Sequence, residues 1–143
     1  MIFRTLAVDK QTKARCGELK LAQHCIPTPV FMPVGTQGTV KTLTPWHLKG
    51  TETKIILSNA YHLCLRPGEK IIKQLGGLHK FMGWDGAIIS DSGGYQVFSL
   101  TGLTKVSDNG VEFQSPDDGT RFFFTPERMT QLQNDIGANI IMA

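Results

Sequence analysis

Short apolar runs that alternate with helical patterns constrain the fold of this chain more than any other feature. The runs at residues 30–34, 54–58, 87–89 and 139–143 are strand-like, and longer segments with helical spacing separate them. Because parallel strands need long crossover connections, this alternation predicts an α/β fold with parallel strands and right-handed crossovers. Four repeats do not decide whether such a sheet closes into a barrel.

Helix boundaries carry local signals. Thr44-Pro45 and Thr125-Pro126 each place a capping hydroxyl before a proline, so we predict helix starts at both positions. A further helix is predicted from about Pro67 to the glycines at 76 and 77. The helix from Pro67 is predicted to have its apolar side at Ile71, Ile72 and Leu75. The helix from Pro126 is predicted to have its apolar side at Met129, Leu132 and Ile136.

Two antiparallel segments interrupt the alternation. Residues 3–8 and 15–21 flank a polar turn and predict a small antiparallel β segment within residues 1–27. Residues 103–107 and 111–115 flank an Asp-Asn-Gly turn, and a further strand is predicted at 120–124, which gives a β-hairpin insertion near 103–124. The predicted organisation is therefore an N-terminal antiparallel β segment at residues 1–27, followed by an α/β part at residues 28–143.

Composition indicates a soluble, cytoplasmic protein of about one domain. The chain has 143 residues, 41% of them hydrophobic. Charges at Arg4 and Asp9 precede any long apolar stretch, so no signal peptide is predicted, and no run has the length of a membrane helix. The cysteines, Cys16, Cys25 and Cys64, form no paired framework, which is typical of a reducing compartment.

Net charge permits a nucleic-acid partner but does not predict one. The formal net charge is +3, and the fifteen basic residues are scattered without a run or stripe. By charge alone, a mildly basic protein with no RNA role is the favoured interpretation.

The segment from Gly86 to Leu100 is the most informative about chemistry. A short buried strand ends at Asp91, and Gly93-Gly94 lets the backbone turn sharply and approach a ligand closely. Because polar residues just past the carboxyl end of a strand face the binding crevice, Asp91, Ser92 and Tyr95 are expected to converge on a flat ligand.

A purely structural interpretation of the same residues stays open. The side chains of Asp91 and Ser92 are also typical of turns and helix caps, where their oxygens accept local N–H groups. No acid follows three residues after the serine, so a capping box is absent.

Several motifs resemble the tRNA-guanine transglycosylases, enzymes of queuosine biosynthesis. The strongest is DSGGYQVFSL at 91–100, and the others are TPVFMPVGT at 28–36, LSNAYHL at 57–63 with LRPG at 65–68, GLHKFMGW at 77–84, and GANIIMA at 137–143. They occur in the family's order and spacing and cover essentially the whole chain. Family members are much longer, so we expect an N-terminal fragment. Its motif sequences are most similar to those of the bacterial type.

The resemblance implies a fold and a reaction. The fold is a (β/α)₈ barrel, to which residues 28–143 would contribute about four strands. The reaction replaces guanine at the anticodon wobble position with a 7-deazaguanine, a queuine precursor, through a covalent ribosyl-enzyme intermediate. An incomplete barrel exposes strand edges and apolar surface, so we expect the 143 residues alone to be inactive and prone to aggregate.

The resemblance also assigns roles to residues of this segment. Asp91 would be the proton acceptor and donor, and Tyr95 would stack on the purine. Asn59 would orient Asp91 or the ribose, although a simple turn residue is an equal interpretation from the sequence. The substrate-binding residues that the resemblance implies are Val34, Leu57, Asn59, Asp91, Ser92, Gly93, Gly94 and Tyr95.

Other family features fall outside the segment. The nucleophilic aspartate, a further base-binding aspartate and a structural zinc site are expected in the missing C-terminal part, so we predict no cofactor or metal site within these residues. The expected partners are tRNA, a 7-deazaguanine base and a second copy of the full-length protein, with no membrane. Asn139 stands where related sequences often carry an acid, and Tyr61 and His62 are expected to serve packing or surface contact.

Two alternatives remain at this stage. A non-catalytic subunit could keep the fold and position tRNA, but the intact stretch from Asp91 to Gln96 argues against it. The chain could also be an inactive truncated product.

Overall fold

The computed structural model describes residues 2–100 and 104–143, so residue 103 of the predicted insertion lies outside the described residues. The fold is mixed α/β, with three small sheets and six helices in the described part. In chain order the elements are β1 Ile2–Val8, β2 Arg15–Lys20, β3 Cys25–Thr28, α1 Pro45–Gly50, β4 Ile55–Asn59, α2 Ala60–Leu65, α3 Glu69–Gln74, α4 Leu78–Met82, β5 Ala87–Asp91, α5 Gly94–Leu100, β6 Thr104–Ser107, β7 Gly110–Gln114, β8 Arg121–Phe124, α6 Pro126–Ile136 and β9 Ile140–Ile141.

The N-terminal sheet is antiparallel, in the order β1-β2-β3. The two predicted strands are confirmed, while β3, which pairs with β2, was not predicted. Leu21 and Ile26 pack in one cluster with Ile55 and Ala87 of the parallel sheet. The antiparallel segment therefore covers the start of the parallel strands.

The parallel sheet has the order β4-β5-β9, as the strand and helix alternation predicts. Residues 30–34, predicted as a strand, contribute only a single parallel bridge, between Val34 and Leu57. The Pro33 carbonyl accepts from the N–H of Leu57, and the N–H of Gly35 donates to the Leu57 carbonyl. Pro33 has no N–H with which to add a further bond to β4. Among the described residues the sheet is open, without the closure that a barrel requires.

The two faces of this sheet have different partners. Ile56 and Ile88 face a core formed with the helices, which includes Leu63, Ile72 and Leu132. Side chains alternate along a strand, so Ile55, Leu57 and Asn59 of β4 share the opposite face, together with Ala87, Ile89 and Asp91 of β5.

Local sequence signals predicted some helix boundaries but not all of the helices. Thr44 and Thr125 cap α1 and α6, and Gly137 ends α6 in the left-handed conformation, all as predicted. The helices α2, α4 and α5 were not predicted. In α3, only Ile72 of the predicted apolar side is buried, whereas Ile71 and the following Leu75 are about half exposed.

The predicted hairpin insertion forms a third sheet, β6-β7-β8. Its aromatic face packs inward, where the ring of Phe113 lies against those of Phe122 and Phe124. Phe113 also contacts Tyr61 of α2 at a centroid distance of 5.5 Å, which fixes the insertion against the end of β4. No helix in the described part of the chain is long and apolar enough to cross a bilayer.

Candidate active site

Asp91 is the last residue of β5 and lies at the carboxyl edge of the parallel sheet. Its register partner is Asn59, the last residue of β4. Asp91 is half-buried, and Asn59 is buried. The alternation of side chains places both on the face opposite the helices, one layer beyond the apolar pair Leu57 and Ile89. A carboxylate and an amide therefore meet at the rim of an apolar surface.

Three donors hold the carboxylate of Asp91. Asn59 Nδ2 donates to Oδ2 at 2.5 Å, Gln96 Nε2 donates to Oδ2 at 2.9 Å, and the backbone N–H of Ala60 donates to Oδ1 at 3.1 Å. Ala60 opens α2, so one donor is a free N–H at a helix start. This donor lies 31 residues before Asp91, so it differs from the local N–H groups of the capping interpretation. The three bonds orient the carboxylate.

Gly93 makes the turn after Asp91 possible. Its φ is +77°, and a Cβ there would lie 2.9 Å from the Cβ of Tyr61 and 3.1 Å from its backbone nitrogen. Both the backbone conformation and the close approach of α2 therefore require glycine. The carbonyl of Gly93 accepts from the N–H of Val97, so the turn leads directly into α5.

The other predicted site residues lie at the same edge of the sheet and differ in their solvent exposure. Leu57 is half-buried beside Val34, which is 50% exposed, and their parallel bridge joins residue 34 to β4. Ser92 is half-buried, whereas Gly94 and Tyr95 at the start of α5 are exposed. Tyr95 is 77% exposed, which leaves its ring accessible to a planar ligand.

Sequence reasoning missed Gln96 as a site residue. It lies five residues beyond Asp91, and only the turn at Gly93 and the start of α5 bring its amide back to the carboxylate. The adjacent aromatic and amide residues were visible in the sequence. Without the prediction of α5, nothing showed that the amide points toward Asp91.

A mainly apolar cavity of about 410 Å³ adjoins the site. It begins at Ser92 and Gly94 and extends between the insertion and α6, where Val97, Phe124 and Met129 line it. Asp91 is not part of its lining, so the cavity borders the carboxylate rather than enclosing it.

The described residues are not those in which the family resemblance implies a zinc site, which is expected beyond Ala143. They contain no group of three or more His, Cys, Asp or Glu side chains placed to hold a metal ion. Cys16 and Cys25 are exposed on β2 and β3, and Cys64 is buried in α2. Burial, followed by the charge of Glu69, raises the pKa of the Cys64 thiol to about 11, so it stays protonated.

A family model described as queuine tRNA-ribosyltransferase matches residues 9–143. The chain belongs to this family. Queuine tRNA-ribosyltransferases from three bacteria are similar to it: that of Thermoanaerobacter pseudethanolicus is 57% identical over 141 residues, that of Dictyoglomus turgidum 55% over 142, and that of Staphylococcus epidermidis 54% over 141.

Each alignment covers 99% of this chain but only 37–38% of the relative. The chain therefore spans less than two fifths of the length of these queuine tRNA-ribosyltransferases. The names of these relatives describe tRNA as the molecule acted on. Their bacterial sources agree with the bacterial type that the motif sequences predict.

Proposed function

We propose that the protein to which this chain corresponds exchanges guanine at the wobble position of tRNA for a 7-deazaguanine precursor of queuine. The single observation that carries the proposal is the place of Asp91. Its carboxylate is half-buried at the carboxyl edge of parallel strands, on the face opposite the helices, and three donors orient it. Family membership and the names of the relatives support tRNA as the substrate class.

Asp91 would shuttle one proton between the two bases. As an acid it protonates a ring nitrogen of the leaving guanine while the bond from the ribose C1′ to N9 breaks and a nucleophilic carboxylate of the whole protein bonds to C1′. As the resulting carboxylate it accepts the proton of the incoming base, whose nitrogen attacks C1′ and displaces the ester. The cycle returns Asp91 to its acid form, so atoms and charges balance.

The hydrogen bonds suit both protonation states. Oδ2 accepts from two side-chain amides, whereas Oδ1 accepts from the Ala60 N–H alone, so Oδ1 is the oxygen with room for the proton. Tyr95, with its exposed ring, would stack on the purine, and the groups of Ser92 to Gly94 would meet its edge. Asn59 would orient Asp91 or the ribose, and Val34 and Leu57 would bind the substrate from the neighbouring strand ends.

The wider architecture is part of the same proposal. The parallel order of Val34, β4, β5 and β9 follows the chain, as in the first strands of a (β/α)₈ barrel. The whole protein would complete that barrel, supply the nucleophile and a structural zinc, form a homodimer and act in the cytoplasm. The 143 residues alone are expected to be inactive.

Replacing Asp91 by Asn in the full-length protein tests the catalytic role. The amide keeps the shape but cannot shuttle the proton, so we expect labelled-guanine exchange into tRNA to fall at least about a hundredfold while tRNA binding changes little. Asp85→Asn is a matched control, because Asp85 precedes the same strand at its opposite end and pairs with Lys49 on the surface. Undiminished exchange by Asp91→Asn would remove Asp91 from the mechanism, absence of exchange by the unmodified full-length protein would favour the non-catalytic subunit, and exchange by the 143 residues alone would contradict the need for the remaining chain.

A further inference from the structure

Gln133 of α6 is a glutamine without solvent exposure. Its exposed fraction is 0%, and the other buried residues of this helix, Met129, Leu132 and Ile136, are apolar. Burying an amide costs free energy unless its polar atoms are hydrogen-bonded. The partners of this amide therefore indicate what the residue holds in place.

The carboxamide of Gln133 holds the backbone of Met142 at two points. Nε2 donates to the Met142 carbonyl at 2.8 Å, and Oε1 accepts from the Met142 N–H at 3.0 Å. Nε2 also donates to the carbonyl of Met129 at 3.4 Å, so both amide protons have an acceptor. Two bonds to one residue fix the orientation of its backbone as well as its position.

Met142 is the residue that comes beside Asp91. Ser90 of β5 is the register partner of Ile141 of β9, so one step along both strands brings Met142 next to Asp91. The Met142 N–H also donates to the carbonyl of Ser90 at 3.2 Å. In a continued parallel ladder the Met142 carbonyl would accept from the N–H of Ser92, but it accepts from Gln133. The end of β9 is therefore held by α6 as well as by β5.

The end of β9 also borders the cavity of about 410 Å³ that adjoins the Asp91 site. The lining of this cavity includes Ser92, which follows β5, and Met142, which follows β9. Without the Gln133 amide, the Met142 carbonyl would be free to bond to Ser92, and the spacing of the two strand ends would change. Gln133 thus sets the space beside Asp91 from a neighbouring helix.

We propose that Gln133 is a positioning residue of the base-exchange site, acting through Met142 to set the space in which the base binds beside Asp91. The inference rests on the proposed function. Both amide protons of Gln133 are bound to backbone carbonyls, so its effect on the base is indirect. Met142 borders the space for the base, whereas tRNA is held by many contacts along its backbone. The role therefore predicts a change in the KM for the base and little change in the KM for tRNA.

Gln133→Met in the full-length protein tests this selectivity. Methionine fills a similar volume but makes neither bond to Met142. With tRNA saturating, we expect the KM for labelled guanine to rise at least about tenfold, while the KM for tRNA changes by less than about twofold. Leu132→Ala is the matched control, because it removes a buried neighbour in α6 without removing a bond to Met142. At a temperature where this control is folded, both of its KM values are expected to stay unchanged.

Gln133→Glu adds a readout that a space-filling role would not give. The protonated carboxyl has a donor and an acceptor in the places of the amide. Burial raises the pKa of such a carboxyl, so it is neutral in mild acid and ionises in mild base, where the donor to Met142 is lost. We expect its KM for guanine, divided by that of the unmodified protein at the same pH, to be within about twofold of unity at about pH 6. At about pH 9 the ratio is expected to approach that of Gln133→Met.

The inference is overturned if Gln133→Met leaves the KM for guanine unchanged, or if Leu132→Ala raises it to the same extent. It is also overturned if the ratio for Gln133→Glu does not change with pH. Should Gln133→Met fail to fold, the pH profile of Gln133→Glu decides alone. Failure of the proposed function gives a different result, because the unmodified full-length protein would then exchange no guanine.

Discussion

The amide of Asn59 donates a hydrogen bond to Oδ2 of Asp91, and these two residues are register partners at the carboxyl ends of neighbouring parallel strands. The bond depends on register, because a shift of one residue would turn either side chain to the helix side of the sheet. An amide supplies an N–H without adding charge. Asn59 therefore orients the carboxylate while leaving its charge available to a substrate.

Asn59→Asp tests this pairing with almost no change of shape. Two carboxylates in contact repel each other, and the donor to Oδ2 is lost, so we expect base exchange by the full-length protein to fall by about tenfold to a hundredfold. The measurement is the rate of labelled-guanine exchange into tRNA. Asn109→Asp, in the exposed turn of the insertion, is the control for an added acid. Equal activity of the two variants would show that Asn59 does not orient Asp91.

Gln96 is expected to be a positioning residue, acting through Asp91. Gln96→Leu removes the second donor to Oδ2, so we expect kcat to fall about tenfold with a small change in KM for tRNA. Gln131→Leu is a matched control, because Gln131 donates to the carboxylate of Asp135 on α6 at 3.0 Å, in a surface helix. A change in KM alone would instead indicate a direct contact of Gln96 with substrate.

The sequence predicted those parts of the fold that local chemistry decides. The caps Thr44 and Thr125 and the buried positions Met129, Leu132 and Ile136 depend on residues a few positions away, and all were predicted correctly. The parallel order of β4 and β5 followed from their apolar runs, and so did the position of Asp91 at a strand end.

The remaining features depend on contacts that are distant in sequence. Whether α3 buries Ile71 depends on its packing against α6, where Glu69 and Arg128 form an ion pair at 2.6 Å. Of the predicted apolar positions of α3, only Ile72 becomes buried. The predicted strand at 30–34 forms only one bridge, and Pro33 has no N–H to extend it. The donor from Gln96 required a helix that its own residues signal weakly, since two glycines precede it.

Gly93 and Gly94 form a natural pair for a stability measurement. Gly93→Ala is expected to lower the free energy of unfolding by about 1–3 kcal/mol or more, because alanine is strained at a φ of +77° and its Cβ would collide with Tyr61. Gly94→Ala is expected to be neutral, since the nearest atom to a Cβ there is the Ser92 hydroxyl at 4.0 Å. Urea unfolding of both variants gives the comparison. Equal destabilisation would contradict the steric argument.

Tyr61→Phe is expected to leave the protein as stable as before, or to stabilise it by up to about 1 kcal/mol. The substitution removes a buried hydroxyl that has no partner in the described part of the chain and keeps the ring contacts with His62 and Phe113. Thermal or urea unfolding measures the effect. A large loss of stability would show that the hydroxyl already has a stabilising partner.

Acid is expected to weaken the contact between α3 and α6. Asp135 accepts from Lys73 at 2.7 Å, and chiefly this bond, together with that from Gln131, holds the pKa of Asp135 below its ordinary value of 3.8. A lowered pKa in the folded protein means that the stabilisation is complete above 3.8 and is lost as the pH falls through the lower, folded value.

The measurement is the difference in unfolding free energy between the protein and Asp135→Asn as a function of pH. We expect this free-energy difference to be constant near neutral pH and to shrink below pH 3.8. It is expected to be small at every pH, because Lys73 is 62% exposed and solvent screens the ion pair. In a Lys73→Met background most of this pH dependence is expected to disappear, since the principal partner is gone. A difference that grows toward acid would give the opposite sign and contradict the assignment of Lys73 as the group that holds Asp135 ionised.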